Sequence, residues 1–80
     1  MLAGHGPNQQ QILHLLRDEM PRTCRQISEQ TGIELSRVCN TIAGLDRHSM
    51  IRYSGIRGEH NAKHWAIDDA GRDLLDKTEQ

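Results

Sequence analysis

Between Thr23 and Ile51 the chain reads TCRQISEQTGIELSRVCNTIAGLDRHSMI, and no other stretch constrains the fold as much. Its apolar residues stand where two short helices joined by a tight turn would face a common core. Thr23 suits an N-cap, and Gln26, three residues on, completes a capping box in which each side chain satisfies the other residue's backbone N–H. Ile27 is the inward residue of that first helix. Thr31-Gly32 supplies its stop, because glycine takes the left-handed conformation without a Cβ penalty. Leu35, Val38, Ile42 and Leu45 then recur at three- and four-residue steps, one apolar stripe on the second helix. Ser36, Arg37, Asn40, Gly44 and Arg47 fall opposite. A helix held from behind and polar in front can enter a major groove.

Eighty residues make one small domain, whose core buries only about 60% of the unfolded surface. Phenylalanine is absent, so Ile, Leu, Val, Met, Tyr53 and Trp65 must build that core. No apolar run approaches the ~20 residues of a membrane span, and none resembles a secretory signal. A cytoplasmic protein is expected, nucleoid-associated if the source is bacterial. Cys24 and Cys39, one per helix and without metal-type spacing, read as reduced core thiols. A thiol switch between the two helices is the lesser alternative.

The net charge of −1 hides a polarity along the chain. From Arg22 to Lys63, seven bases (Arg22, Arg25, Arg37, Arg47, Arg52, Arg57, Lys63) face four acids, a local balance of +3. Outside that span three bases face seven acids, a balance of −4. The candidate nucleic-acid face is basic and its flanks are acidic.

Residues 1–7, with two glycines and a proline, read as a flexible tail, and residues 78–80 as a second. The domain proper is expected over 8–77. Asn8 can cap a first helix running to about Glu19, with Ile12, Leu15, Leu16 and Met20 inward and Pro21 forbidding continuation. The paired helices follow at about 23–30 and 35–48. Met50 to Ser54 reads as an extended segment and Lys63 to Ile67 as a return strand, with a turn-rich stretch between. Asp68 can cap a last helix, with Leu74 and Leu75 inward and Lys77 near its end. Three helices, a hairpin and a C-terminal helix make a mainly α fold with a small β-hairpin, the winged helix-turn-helix.

From Thr31 to Leu75 the chain resembles the DNA-binding half of MarR-type (multiple-antibiotic-resistance) regulators. TGIELSRVCNTIAGLDRHSMI is similar to that family's turn, recognition helix and approach to the wing, and IDDAGRDLL to its post-wing signature. Two positions depart from the pattern: Ser49 replaces the glycine usual before the wing strand, and Glu34 replaces a capping serine. The dimerisation helices that flank the wing domain in those regulators have no room here. The resemblance therefore implies the DNA-binding module and not the ligand-sensing repressor.

Arginine can bridge guanine O6 and N7, and asparagine adenine N6 and N7, so Arg37 and Asn40 suit base-edge reading, with Ser36 near the helix start for a phosphate or base. The bland alternative is a solvated helix face. Arg57, His60 and Lys63 make a basic hairpin tip suited to phosphate or minor-groove contact, Arg22 and Arg25 are candidate backbone clamps, and Arg47, on the polar face of the second helix, is a further candidate DNA contact. For these, solubility alone is the competing account. Trp65 reads as core rather than a base-stacking ring, with Tyr53 its structural neighbour. No metal site is expected: His60 and His64 stand four apart in a hairpin, where that spacing does not pair them. No phosphate loop and no nucleophile–base pairing supports catalysis, and no cofactor is implied.

The reading that follows is a non-enzymatic protein of bacterial or phage type that binds double-stranded DNA and regulates transcription. The recognition helix 35–48 would lie in the major groove and the wing 52–66 on the backbone or minor groove. A homodimer or a protein partner would use the acidic flanking helices. Two rivals remain open at the level of sequence: a protein-interaction winged helix of a larger assembly, and an accessory factor for replication or recombination.

Overall fold

The computed structural model describes residues 6–58 and 62–78. Helix α1 spans Pro7–Leu16, α2 Cys24–Thr31 and α3 Leu35–Arg47, followed by strands β1 (Ile51–Arg57) and β2 (Lys63–Ile67) and helix α4 (Asp69–Thr78).

Helix α1 begins one residue before the expected cap. Gly6 is extended at the N-cap, and Pro7, assigned above to the tail, is the first helical residue, where its missing N–H costs nothing. The helix also stops early, at Leu16, and the chain turns through Glu19 in the left-handed region at φ 65°. Met20 therefore lies past the helix and is 59% exposed, not inward as its spacing suggested. Leu13 takes its place, wholly buried with Ile12 and Leu16, while Leu15 is only partly buried.

The helix pair forms as its sequence dictates. Thr23 Oγ1 accepts from Gln26 N at 3.1 Å, and Gln26 Oε1 accepts from Thr23 N at 2.9 Å. Gly32 closes α2 at φ 78°. Across the turn, Ser28 Oγ donates to the Ile33 carbonyl at 2.6 Å, and Thr31 Oγ1 accepts from Ile33 N at 3.2 Å. These bonds fix the angle at which α3 departs. Its stripe of Val38, Ile42 and Leu45 is buried, but Leu35, expected with them, is 38% exposed. It sits on the first turn, beside Trp65 and the start of α2, at the edge of a cavity instead of in the core.

Strands β1 and β2 pair antiparallel, Ile51 with Ile67, Arg52 with Ala66, Tyr53 with Trp65 and Arg57 with Lys63. Between the last two pairs, Ser54, Gly55 and Ile56 stand opposite His64 alone, so the wing carries a bulge. Gly55 accommodates it at φ 86°, and Ser54 Oγ donates across it to the His64 carbonyl at 2.9 Å. The far edge of β2 has a partner that sequence reasoning missed. Arg22 pairs with Trp65 through the backbone, at 2.9 Å and 2.7 Å, so the residue before α2 acts as a rudimentary third strand. Its side chain is equally committed: the guanidinium donates to Gln30 Oε1, to the Leu15 and Met20 carbonyls and to both carboxylate oxygens of Asp18, the last at 2.9 and 2.8 Å.

Helix α4 closes the fold. Asp68 accepts from Asp69 N through its side chain, and its own N–H donates to the Met50 carbonyl at 2.9 Å. Ser49 is left-handed at φ 60°, which explains why a glycine would be natural there. Gly71 faces the same loop. A Cβ on it would stand 2.3 Å from the Met50 carbonyl oxygen and 3.0 Å from Ile67 Cγ1, so α4 can approach only because this side chain is missing. Every element feeds one core of Ile12, Leu13, Leu16, Ile27, Val38, Ile42, Leu45, Ile51, Ile67, Leu74 and Leu75.

Two stability tests follow from these contacts. Gly71→Ala forces α4 off the Met50 carbonyl and should cost roughly 1–3 kcal/mol in urea unfolding, and an unchanged midpoint would refute the close approach. The Arg22 hydrogen bonds hold the Asp18 carboxyl down, from 3.8 to about 2. A carboxyl lowered in the folded state contributes stability that is complete above its unfolded value and is lost as pH falls through the folded one. Thermal melts should show wild type losing stability from about pH 4 to about pH 2, and Asp18→Asn should lose less over that window.

Candidate nucleic-acid interface

The buried stripe of α3 decides what its other side presents. With Val38, Ile42 and Leu45 turned to the core, helical spacing places Ser36, Asn40 and Arg47 along the outermost line, and all three are exposed. Ser36 Oγ donates to Glu34 Oε1 at 2.7 Å, which holds both side chains at the helix start. Arg37 is also exposed but belongs to one flank, where it and Thr41 border an open cleft with Gly6, Pro7, Asn8 and Gln9. Arg47 occupies the last turn, where a cation meets the negative end of the helix dipole.

The other flank of α3 meets the wing. Thr23, Cys24 and Arg25 from α2, Leu35 and Cys39 from α3, and Ala62, Lys63 and Trp65 around β2 enclose an open cavity of about 370 Å³. Arg25 and Lys63 therefore stand near one another, although 38 positions separate them in sequence. Cys39, taken above for a core thiol, is exposed, and Cys24 is half-buried. Leu35, on the first turn of α3, is 38% exposed on this flank.

On the wing, Trp65 packs against the core and Tyr53 rests on it, ring centroids 6.2 Å apart and planes tilted by 58°. Over the Tyr53 ring stand both Arg57, at 5.6 Å, and Lys63, at 5.5 Å. Such cation–π contacts contribute about 0.5–1 kcal/mol each at exposed sites. Core, Trp65, Tyr53 and the two cations thus form a column from the interior to the surface. Sequence reasoning gave Tyr53 only a structural part, and its cross-strand pairing with Trp65 is what builds this platform. His60 lies outside the described residues. Arg22 differs from the other candidates in that its side chain is only 16% exposed and its guanidinium donates to Gln30 and Asp18 within the fold.

Among the described residues no group of three or more His, Cys, Asp or Glu side chains is placed to hold a metal ion. No helix among them is long and apolar enough to cross a membrane.

The sequence matches no protein-family model and no curated protein. The fold does match solved structures. A probable transcriptional regulator from Pseudomonas aeruginosa superposes with a TM-score of 0.82 at 21% identity, over 95% of this chain and 58% of that one. The homodimeric winged helix-turn-helix DNA-binding domain Mb0332 of Mycobacterium bovis, from a possible ArsR-family transcriptional regulator, gives 0.74 at 22% identity, over 98% and 68%. A MarR family regulator of Neisseria meningitidis, NMB1585, gives 0.72 at 17%, over 92% and 55%. The fold is a winged helix-turn-helix. At these identities the likeness is one of fold, and on that level the resemblance to the DNA-binding half of MarR-type regulators holds. In winged-helix terms α3 stands at the position of the recognition helix, β1 and β2 form the wing, and Arg22 supplies a short strand beside β2.

Proposed function

We propose that this protein binds double-stranded DNA and regulates transcription, with α3 in the major groove and the wing on the adjacent backbone or minor groove. The observation that carries the reading is the exposed line of Ser36, Asn40 and Arg47, flanked on one side by Arg37 and on the other by Arg25 and the wing cations. Arg37 and Asn40 have the donors and acceptors that read guanine and adenine edges, Ser36 reaches a phosphate or base, and Arg25 and Arg47 meet backbone phosphates. Arg57 and Lys63, with His60 between them in sequence, meet phosphates or the minor groove. Arg22 is left out of this set because Asp18 and Gln30 hold it.

A single module of this size buries limited DNA surface, so the functional unit is a homodimer on a two-part site. The Mb0332 domain, which shares the fold, is homodimeric. The protein would act in the cytoplasm, on the nucleoid of a bacterium or on a phage genome.

Selection from a random duplex library supplies the cognate sequence. Arg37→Ala should then lose about 1–3 kcal/mol of discrimination against a substituted guanine, read by fluorescence anisotropy, whereas intact discrimination would remove Arg37 from base reading. Replacing Arg57 and Lys63 together by alanine should flatten the salt dependence of binding by roughly two phosphate contacts, and an unaltered slope would take the wing out of the interface. If no motif is enriched and no binding responds to salt, the DNA reading gives way to a protein-docking winged helix.

A further inference from the structure

The two cysteines of the chain converge on the cavity between α2, α3 and the wing. Cys24 is the first residue of α2 and packs partly against the core, while Cys39 lies on the second turn of α3 and meets solvent. We infer that Cys24 and Cys39 form a reversible intramolecular disulfide on exposure to hydroperoxides, a modification site linking the two halves of the helix-turn-helix.

The arrangement assigns the thiols different parts. Burial, and the neighbouring Cys39 sulfur, push the Cys24 thiol up to about 11, so Cys24 stays protonated at neutral pH. The exposed Cys39 is then oxidised first. Its sulfur attacks the peroxide, the O–O bond breaks, and the departing hydroxide takes up the thiol proton as water, leaving a sulfenic acid on Cys39. The Cys24 sulfur attacks the Cys39 sulfur, the S–O bond breaks, and water leaves with the Cys24 proton. Two thiols are oxidised, and one hydrogen peroxide is reduced to two waters. A reducing thiol reverses the bridge by exchange. None of this chemistry depends on DNA binding.

The test treats the reduced full-length chain with hydrogen peroxide and follows intact mass, thiol alkylation and thermal melting. Wild type should lose the mass of two hydrogens, resist alkylation at both cysteines and melt at a higher temperature than the reduced protein, all reversed by dithiothreitol. Cys39→Ser, a change at an exposed position, should form no bridge and show no melting shift. Cys24→Ser should instead collect a dimedone-reactive sulfenic acid on Cys39. Oxygen uptake by wild type without loss of the two hydrogens, a bridge between two chains, or no reaction would each overturn the inference.

Discussion

One aliphatic core, built without a single phenylalanine, holds every element of this fold in place. The contributions are uneven. Helix α1 gives three wholly buried residues and α3 gives Val38, Ile42 and Leu45, but α2 gives only Ile27. One side chain cannot fix the orientation of an eight-residue helix, so polar bonds must supply the rest. They do so at both ends of α2, through the Thr23–Gln26 capping box and the Ser28, Thr31 and Ile33 bonds of the turn. The direction of α3, and hence of its outer line, follows from that turn. The hairpin and α4 are locked to the same core at Met50, whose carbonyl accepts from Asp68 and leaves room opposite only for a glycine.

These physics also divide what the sequence revealed from what it concealed. Local chemistry was legible: the capping box, the Gly32 stop and the Val38, Ile42 and Leu45 stripe on α3 depend on residues within four positions of one another. The errors arose where a distant partner decides. Helical periodicity continued past Leu16 on paper and made Met20 inward, but the chain leaves the helix to bring Arg22 alongside Trp65, 43 positions away. Leu35 fits the stripe by spacing, yet it stands at the edge of the cavity beside Trp65 and is 38% exposed. Gly71 looked like part of a family signature, and only the Met50 carbonyl gives it a reason.

The candidate site shows the same division. Helical spacing was enough to put Ser36, Asn40 and Arg47 on one face, because that depends on α3 alone. It was not enough to place Arg37, which faces the start of α1, or to bring Arg25 beside Lys63. The wing cations were legible as a basic hairpin tip, whereas their positions come from Tyr53, braced by Trp65. An aromatic column of this kind limits how far two long side chains can wander, which lowers the entropy lost when they engage a partner.

Arg22 carries the sharpest lesson about charge. Counted along the chain, it belongs to the basic stretch and helps raise the local balance to +3. In the fold its guanidinium is joined to Asp18, so six bases then stand against four acids in that stretch. Glu34, beside Ser36 at the start of α3, is one of those acids. So small an excess gives weak sequence-independent attraction to a polyanion. On the DNA reading, a single copy must therefore rely on directed contacts from α3, and occupancy of a site would come from pairing two such faces in the spacing of the duplex. That makes orientation between copies, and not charge, the quantity through which this fold would control binding.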